Sequence, residues 1–146
     1  AMRMREGESL KHDMLGKLGT IELLRGQIEE RAPHVIEEYR EKLSQRLSAL
    51  LSGDVDEARF MTEVAIFADR AAIDEELVRL TSHIAQLRVA TEMENPVGRK
   101  LDFLVQELIR EFNTIGSKAS DAQIAQCVVE AKGEIEKLRE QVQNIE

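Results

Sequence analysis

From Leu10 to Leu50 an apolar residue returns at steps of three or four, with one full heptad between Ile21 and Ile28, through Met14, Leu18, Ile21, Ile28, Ala32, Val35, Tyr39, Leu43 and Leu47. One face of a helix repeats in this way, and no strand does. Sustained over about 40 residues, the stripe predicts a helix or near-collinear pair of helices roughly 60 Å long, over residues 8–52. Ser9 stands where an N-cap is expected, and Ser52-Gly53-Asp54 reads as the stop. Pro33 lies within the pattern. It removes one hydrogen bond and crowds the carbonyl four residues back, which predicts a bend near Glu29 and Glu30.

The rest of the chain continues in the same vein. A second stripe runs through Phe60, Val64, Phe67, Ala68, Ile73, Leu77, Leu80, Ile84 and Leu87. With no Pro or Gly inside it, it predicts one uninterrupted helix over 55–94, starting near Asp54 or Asp56 and closed by Asn95-Pro96. A third helix is expected over 96–116, with Leu101, Leu104, Leu108, Phe112 and Ile115 as its stripe. Gly116-Ser117 and the residues to Ser120 then read as a loop. A fourth is expected over 120–145, capped by Ser120 or Asp121. Its stripe of Ile124, Val128, Ala131, Ile135, Leu138, Val142 and Ile145 alternates steps of four and three, as a heptad seam does. The expected fold class is all-α: four to five helices in long antiparallel hairpins with coiled-coil-like seams, as one domain over 1–146. Stripes this long exceed what a small compact ball can cover, so other copies of the chain are expected to cover them. An elongated monomeric bundle is the plainer alternative.

Composition narrows the function classes. A third of the residues are charged and the net charge is −8, so the chain as a whole is no electrostatic glove for nucleic acid. The single cysteine, Cys127, excludes an internal disulfide, and its place between Ile124 and Val128 reads as a packed thiol. No apolar run reaches the length of a membrane span and no signal peptide opens the chain, so a cytoplasmic location is expected. The Ala1-Met2 start reads as the edge of a cut-out domain. No Gly-rich phosphate loop, His-Glu-x-x-His helix or Cys-x-x-Cys pair is present.

Of the three histidines, His12 and His34 fall among charged, exposed positions, whereas His83 flanks the Leu80–Ile84–Leu87 seam. Glu76 shares that flank, with Arg79 between them, but lies roughly 10.5 Å away along the axis. It therefore cannot join His83 on one ion, and a partner for His83 has to come from another helix. The third segment offers Glu107 and Glu111, one turn apart on one face. Carboxylates with an imidazole suit Mn²⁺ or Mg²⁺. Salt-bridged helix faces are the ordinary use of the same residues. Around them Arg99, Lys100, Arg110 and Lys118 outnumber Asp102, Glu107 and Glu111, a locally positive stretch in an acidic chain. Gln106 and Asn113 add polar groups on the opposite flank.

These residues also carry a resemblance. GRKLDFLVQELIREFNTIGSKA (98–119), IEKLREQVQNIE (135–146), DEELVRLTSHI (74–84) and EGESLKHDM (6–14) resemble the C-terminal region of the YicC family, over nearly the whole chain. The resemblance implies a bacterial, metal-dependent endoribonuclease that assembles as a hexamer. It also implies an N-terminal domain of comparable size that has no counterpart in this chain. The family's polar pattern falls here on Glu63, Arg70, Glu75, Glu76, Arg79 and His83, then on Arg99 to Lys118. Its last part falls on Glu130, Lys132, Glu136, Arg139, Gln141, Gln143 and Asn144, which are read as either coiled-coil surface or site lining. The expected roles are catalysis by His83, Glu76, Glu107 and Glu111, and metal ligation by His83, Glu107 and Glu111. RNA phosphates are assigned to Arg70, Arg79, Arg99, Arg110 and Lys118. His83 can alternatively act as general acid or base, since a free imidazole titrates near neutrality. Water and the 2′-OH both remain open as nucleophile. The rival reading is a non-catalytic oligomerisation scaffold whose activity resides in the missing N-terminal domain.

Overall fold

A computed structural model describes residues 2–50, 53–93 and 97–144, with side chains from residue 6 onward. The expected boundary residues Ser52 and Asn95-Pro96, and the seam position Ile145, lie outside the described residues. Five helices follow in order: α1 (Met2–Leu50), α2 (Glu57–Arg70), α3 (Asp74–Glu92), α4 (Gly98–Lys118) and α5 (Ala122–Gln143). Among the described residues there is no strand. The all-α expectation holds.

The N-terminal half of α1 packs with α3, α4 and α5 into a four-helix bundle. Lys11 reaches the carbonyl of Met93 and Arg25 that of Leu77, so α1 and α3 run antiparallel. Arg31 meets Asp121 and Cys127 meets Gln27, which makes α5 antiparallel to α1 as well. Its core is one continuous cluster from Met14, Leu18, Ile21 and Ile28 through Leu80, Ile84 and Leu87 to Leu104, Leu108, Phe112, Ile135 and Leu138. The α5 seam, from Ile124 to Val142, is consumed inside the chain, with Ile135 and Leu138 completely buried. The expectation that this seam faces another copy is therefore corrected. Helices of about 20 residues match one another in length, and only α1 outruns the bundle.

Beyond Val35, the last turns of α1 pair with α2 as a two-helix arm. Tyr39 and Phe67 stack there, with ring centroids 3.9 Å apart. Leu50, Met61 and Ile66 of this arm are exposed.

Three local expectations change and one alternative is decided. Helix α1 begins at Met2, so Ser9 is interior and caps nothing. Of the two readings of the Pro33 region the single helix holds, α1 running through Pro33 without a break. Pro33 faces solvent, and the buried Ile28 and Val35 on either side hold the rod in the core. Their burial offsets the lost hydrogen bond. The second segment is not one helix: it breaks at Ala71, Ala72 and Ile73. Ala71 caps α2 through Phe67 and Asp69 carbonyls, Ile73 is drawn into the core, and Asp74, Glu75 and Glu76 restart the helix where negative charge suits the dipole.

Finally, α4 continues through Gly116-Ser117 to Lys118. Gly116 serves close packing: a β-carbon there would meet Val128 Cγ1 at 3.4 Å. The turn is instead Ala119 to Asp121, with Ser120 in the left-handed region at φ 46°. Asp121 is the N-cap of α5, accepting a hydrogen bond from Ile124 N at 3.0 Å. Asp56 caps α2 in the same way.

Candidate metal and acid–base centre on the α3–α4 groove

Helices α3 and α4 are antiparallel neighbours, and their polar flanks meet in register as three rungs. Their apolar stripes set that register: Leu80, Ile84 and Leu87 pack against Leu104, Leu108, Phe112 and Ile115. Residues one position off each stripe are thereby carried to the rim of the contact.

At the first rung Lys118 Nζ donates to Glu76 Oε1 at 2.8 Å. At the second, Arg79 Nε donates to Glu111 Oε1 at 2.8 Å. Arg79 also reaches Glu76 at 3.6 Å and Glu75 at 3.7 Å, so one guanidinium serves three carboxylates. Glu76 and Glu111 are buried, at 3% and 4% exposure, and a buried carboxylate needs such a partner. Burial pushes the Glu76 carboxyl upward. The Lys118 hydrogen bond, the helix backbone and the charges of Lys118 and Arg79 outweigh it and hold the group below the usual carboxylate range. The hydrogen bond to Glu111 raises Arg79 further above its already high value, against a smaller opposing effect of burial.

The third rung breaks the pattern. His83 stands opposite Glu107 with Nε2 3.9 Å from Oε2, beyond hydrogen-bonding distance. Both ring nitrogens of His83 are buried, and neither has a hydrogen-bond partner in the protein. One ligand atom from each of His83, Glu107 and Glu111 lies within 4.8 Å of the other two. The three residues read as metal ligands in the sequence are thus brought together, on two helices, at one point of the groove. The chemistry of the set is one imidazole and two carboxylates beside a guanidinium.

The remaining candidates divide. Glu76 belongs to the Lys118 rung and not to the His83 group, because seven residues of helix separate them. Arg79 and Lys118, read as phosphate contacts, are tied to Glu111 and Glu76 instead. Arg99 and Arg110 are exposed on α4, Arg110 lying 4.0 Å from Glu107. Arg70 ends α2, outside the ladder. Of the α5 residues considered, Gln143 and Asn144 are exposed at the helix end. His12 and His34 are exposed as expected. Cys127 is half-buried, with burial raising its thiol pKa. Of the three partners of Arg79, at i−4, at i−3 and on another helix, only the last needs the fold.

Replacing Lys118 by Met removes the partner of a buried carboxylate. The sign follows from the lowered Glu76 pKa: its stabilisation is present above the unfolded carboxylate pKa and is lost as pH falls through the folded one. Lys118→Met is therefore expected to cost about 1–2 kcal/mol at pH 7, less than for a fully buried pair because Lys118 is half in water. The deficit should shrink as pH falls from the unfolded carboxylate pKa through the lower folded one and Glu76 protonates. Urea melts at the two extremes measure it; a deficit independent of pH would show that Lys118 acts through packing.

No helix among the described residues is long and apolar enough to cross a membrane. The family model "Endoribonuclease YicC-like, C-terminal" matches residues 28–146. Over 147 aligned positions the chain is 48% identical to a protein named "Probable endoribonuclease YicC" from Clostridioides difficile (strain 630), covering 99% of this chain and 50% of that protein. It is 40% identical to a protein of the same name from Haemophilus influenzae (strain ATCC 51907 / DSM 11121 / KW20 / Rd), over 100% of this chain and 50% of the relative. The chain spans about half the length of these curated relatives.

Proposed function

Since this chain belongs to the YicC-like endoribonuclease family, as its C-terminal region, we propose that it cleaves RNA phosphodiester bonds at the His83–Glu107–Glu111 centre with a divalent cation. The observation that carries the reading is the odd rung. A half-buried imidazole whose two nitrogens are both buried and unpartnered is costly in a purely structural network, and it stands beside two carboxylates with which it can share an ion. The donor set fits a hard or borderline divalent cation, Mn²⁺ or Mg²⁺. His83, Glu107 and Glu111 would hold it, and bound there it would supply Lewis-acid activation of a nucleophile and neutralise phosphate charge.

The chain's own groups do the rest. Arg79 holds the Glu111 carboxylate through Nε, which fixes its orientation towards the rung. Glu76 and Lys118 neutralise each other, so the bridging guanidinium stays committed to Glu111. Arg110, exposed above Glu107, is placed to meet a phosphate. Arg110 would thus meet a phosphate at the rim, while His83, its ring nitrogens buried in the groove behind, would ligate or move a proton.

The test is RNA cleavage with and without Mn²⁺ in the wild type and in Glu107→Gln, which keeps shape and removes charge. Loss of at least about 100-fold in rate is expected, the upper end of what disturbing a metal's outer shell alone costs, with the melting temperature nearly unchanged. Because the chain is half the length of its relatives, the equivalent substitution in a full-length relative is assayed beside it. Cleavage at the wild-type rate in both would remove the centre from the reaction.

A second reading keeps one observation: Leu50 is 77% exposed and Met61 52% exposed on the arm. A homo-oligomer, hexameric by resemblance, formed through that arm and working on RNA inside the cell, accommodates them without competing for the α3–α4 groove.

A further inference from the structure

The outer face of α4 carries a stripe that the centre does not use. Arg99, Phe103, Gln106, Arg110 and Asn113 recur at steps of four, three, four and three, within about 40° of one line down the helix. All five are exposed. Phe103 is 59% exposed, a large apolar ring standing in water between two arginines. No carboxylate lies on the line. Asp102 and Glu107 fall to either side of it, so the stripe is cationic and amide-bearing in a chain of net charge −8. Glu107, a member of the centre, borders the stripe and is approached by Arg110 at 4.0 Å.

We infer that this stripe is a track for single-stranded RNA leading to the centre, with a base stacked on Phe103 and the flanking phosphates held by Arg99 and Arg110. The inference rests on the cleavage reading for its choice of polymer. The chemistry selects the strand form. An aromatic ring on a convex helix face can stack only a base that is free of its neighbours, and bases inside a duplex are not free. Arginines about 6 Å before Phe103 and about 10.5 Å after it along the axis match a backbone passing the ring. Gln106 and Asn113 offer amides to base edges, and side-chain amides are suited to that use. A sequence-tolerant mixture of stacking and phosphate contact is the usual means of holding single strands. The polarity of the line also explains its one apolar member: a ring placed for a protein core would be expected on the buried side, where Leu104, Leu108 and Phe112 already stand.

The chain has no tryptophan, which makes the test direct. Phe103→Trp places a single indole on the stripe, and its fluorescence should be quenched on adding a single-stranded RNA oligonucleotide, with affinity near wild type by anisotropy. Phe103→Ala should weaken that affinity about tenfold or more, the loss of one stacked base. Arg99→Gln with Arg110→Gln should flatten the salt dependence by about 1.4 in log–log slope, two phosphate contacts. Unchanged affinity in Phe103→Ala overturns the track, and so does an equal effect on duplex RNA. A change in sedimentation coefficient with no change in RNA affinity overturns it too, showing Phe103 as a contact between copies. Failure of the cleavage reading looks different. RNA held through Phe103 by protein that cleaves none, in the chain and in a full-length relative, leaves the track standing. Cleavage lost in Glu107→Gln with full affinity in Phe103→Ala leaves only the centre.

Discussion

The double substitution Ile135→Asp with Val142→Asp is expected to abolish cooperative melting of the chain at neutral pH. Ile135 is completely buried and Val142 nearly so, on the face of α5 that meets α1 and α4. Each substitution loses the burial of a branched aliphatic, about 2–5 kcal/mol for truncation alone in such sites. Each then asks a carboxylate to sit in an apolar interior with no partner, which adds several kcal/mol more unless the group is protonated or expelled. The sum reaches the whole stability of an ordinary domain, about 5–15 kcal/mol. Circular dichroism through a thermal scan checks it. A melt that stays cooperative, with a smaller particle by sedimentation, would show instead that the seam faces a second copy.

His83→Leu is expected to move in the opposite direction. Its two ring nitrogens are buried without partners, and its contact with Glu107 is long. Leaving such atoms unpaired costs about 1–3 kcal/mol, and a leucine of comparable size extends the adjoining stripe of Leu80, Ile84 and Leu87. A gain of about 1–2 kcal/mol in urea denaturation is therefore expected, together with loss of RNA cleavage. Stability gained where activity is lost is the signature of a group kept for its chemistry. A melting temperature that falls would make His83 a structural residue, and the odd rung would need another explanation.

Much of this was legible from periodicity. The stripes of α4, of α1 as far as Val35 and of α5 as far as Val142 were readable because the apolar residues that define them lie in the core or pack against it. His83, Glu107 and Glu111 were readable because they flank stripes, and flanks of packed stripes come together. What could not be read depends on tertiary register. Whether Arg79 faces Glu111 or solvent is decided by the offset between α3 and α4, set by the turn and the packing of Leu108 and Phe112. The α2–α3 break has only a weak local mark, the acidic triplet after Ala71-Ala72-Ile73, with no glycine or proline to announce it. Gly116 misled for the converse reason: a residue that usually ends helices was there to let Val128 approach. The inference from helix length to oligomer failed for α5, because stripes on equal-length helices can cover one another within one chain.

The closing of the bundle by its first and last helices bears on how the chain reaches this state. Helices α3, α4 and α5 follow one another through short turns, so their mutual packing needs only local search. Helix α1 must find α5 across a hundred residues, the separation of Gln27 from Cys127. Closing so long a loop costs only about 2 kcal/mol more than closing one a tenth as long, but it comes late. The stripe of α1 packs on α3 as well as on α5, so its burial is complete only once the last helix is in place, and until then an incompletely covered apolar rod is open to aggregation.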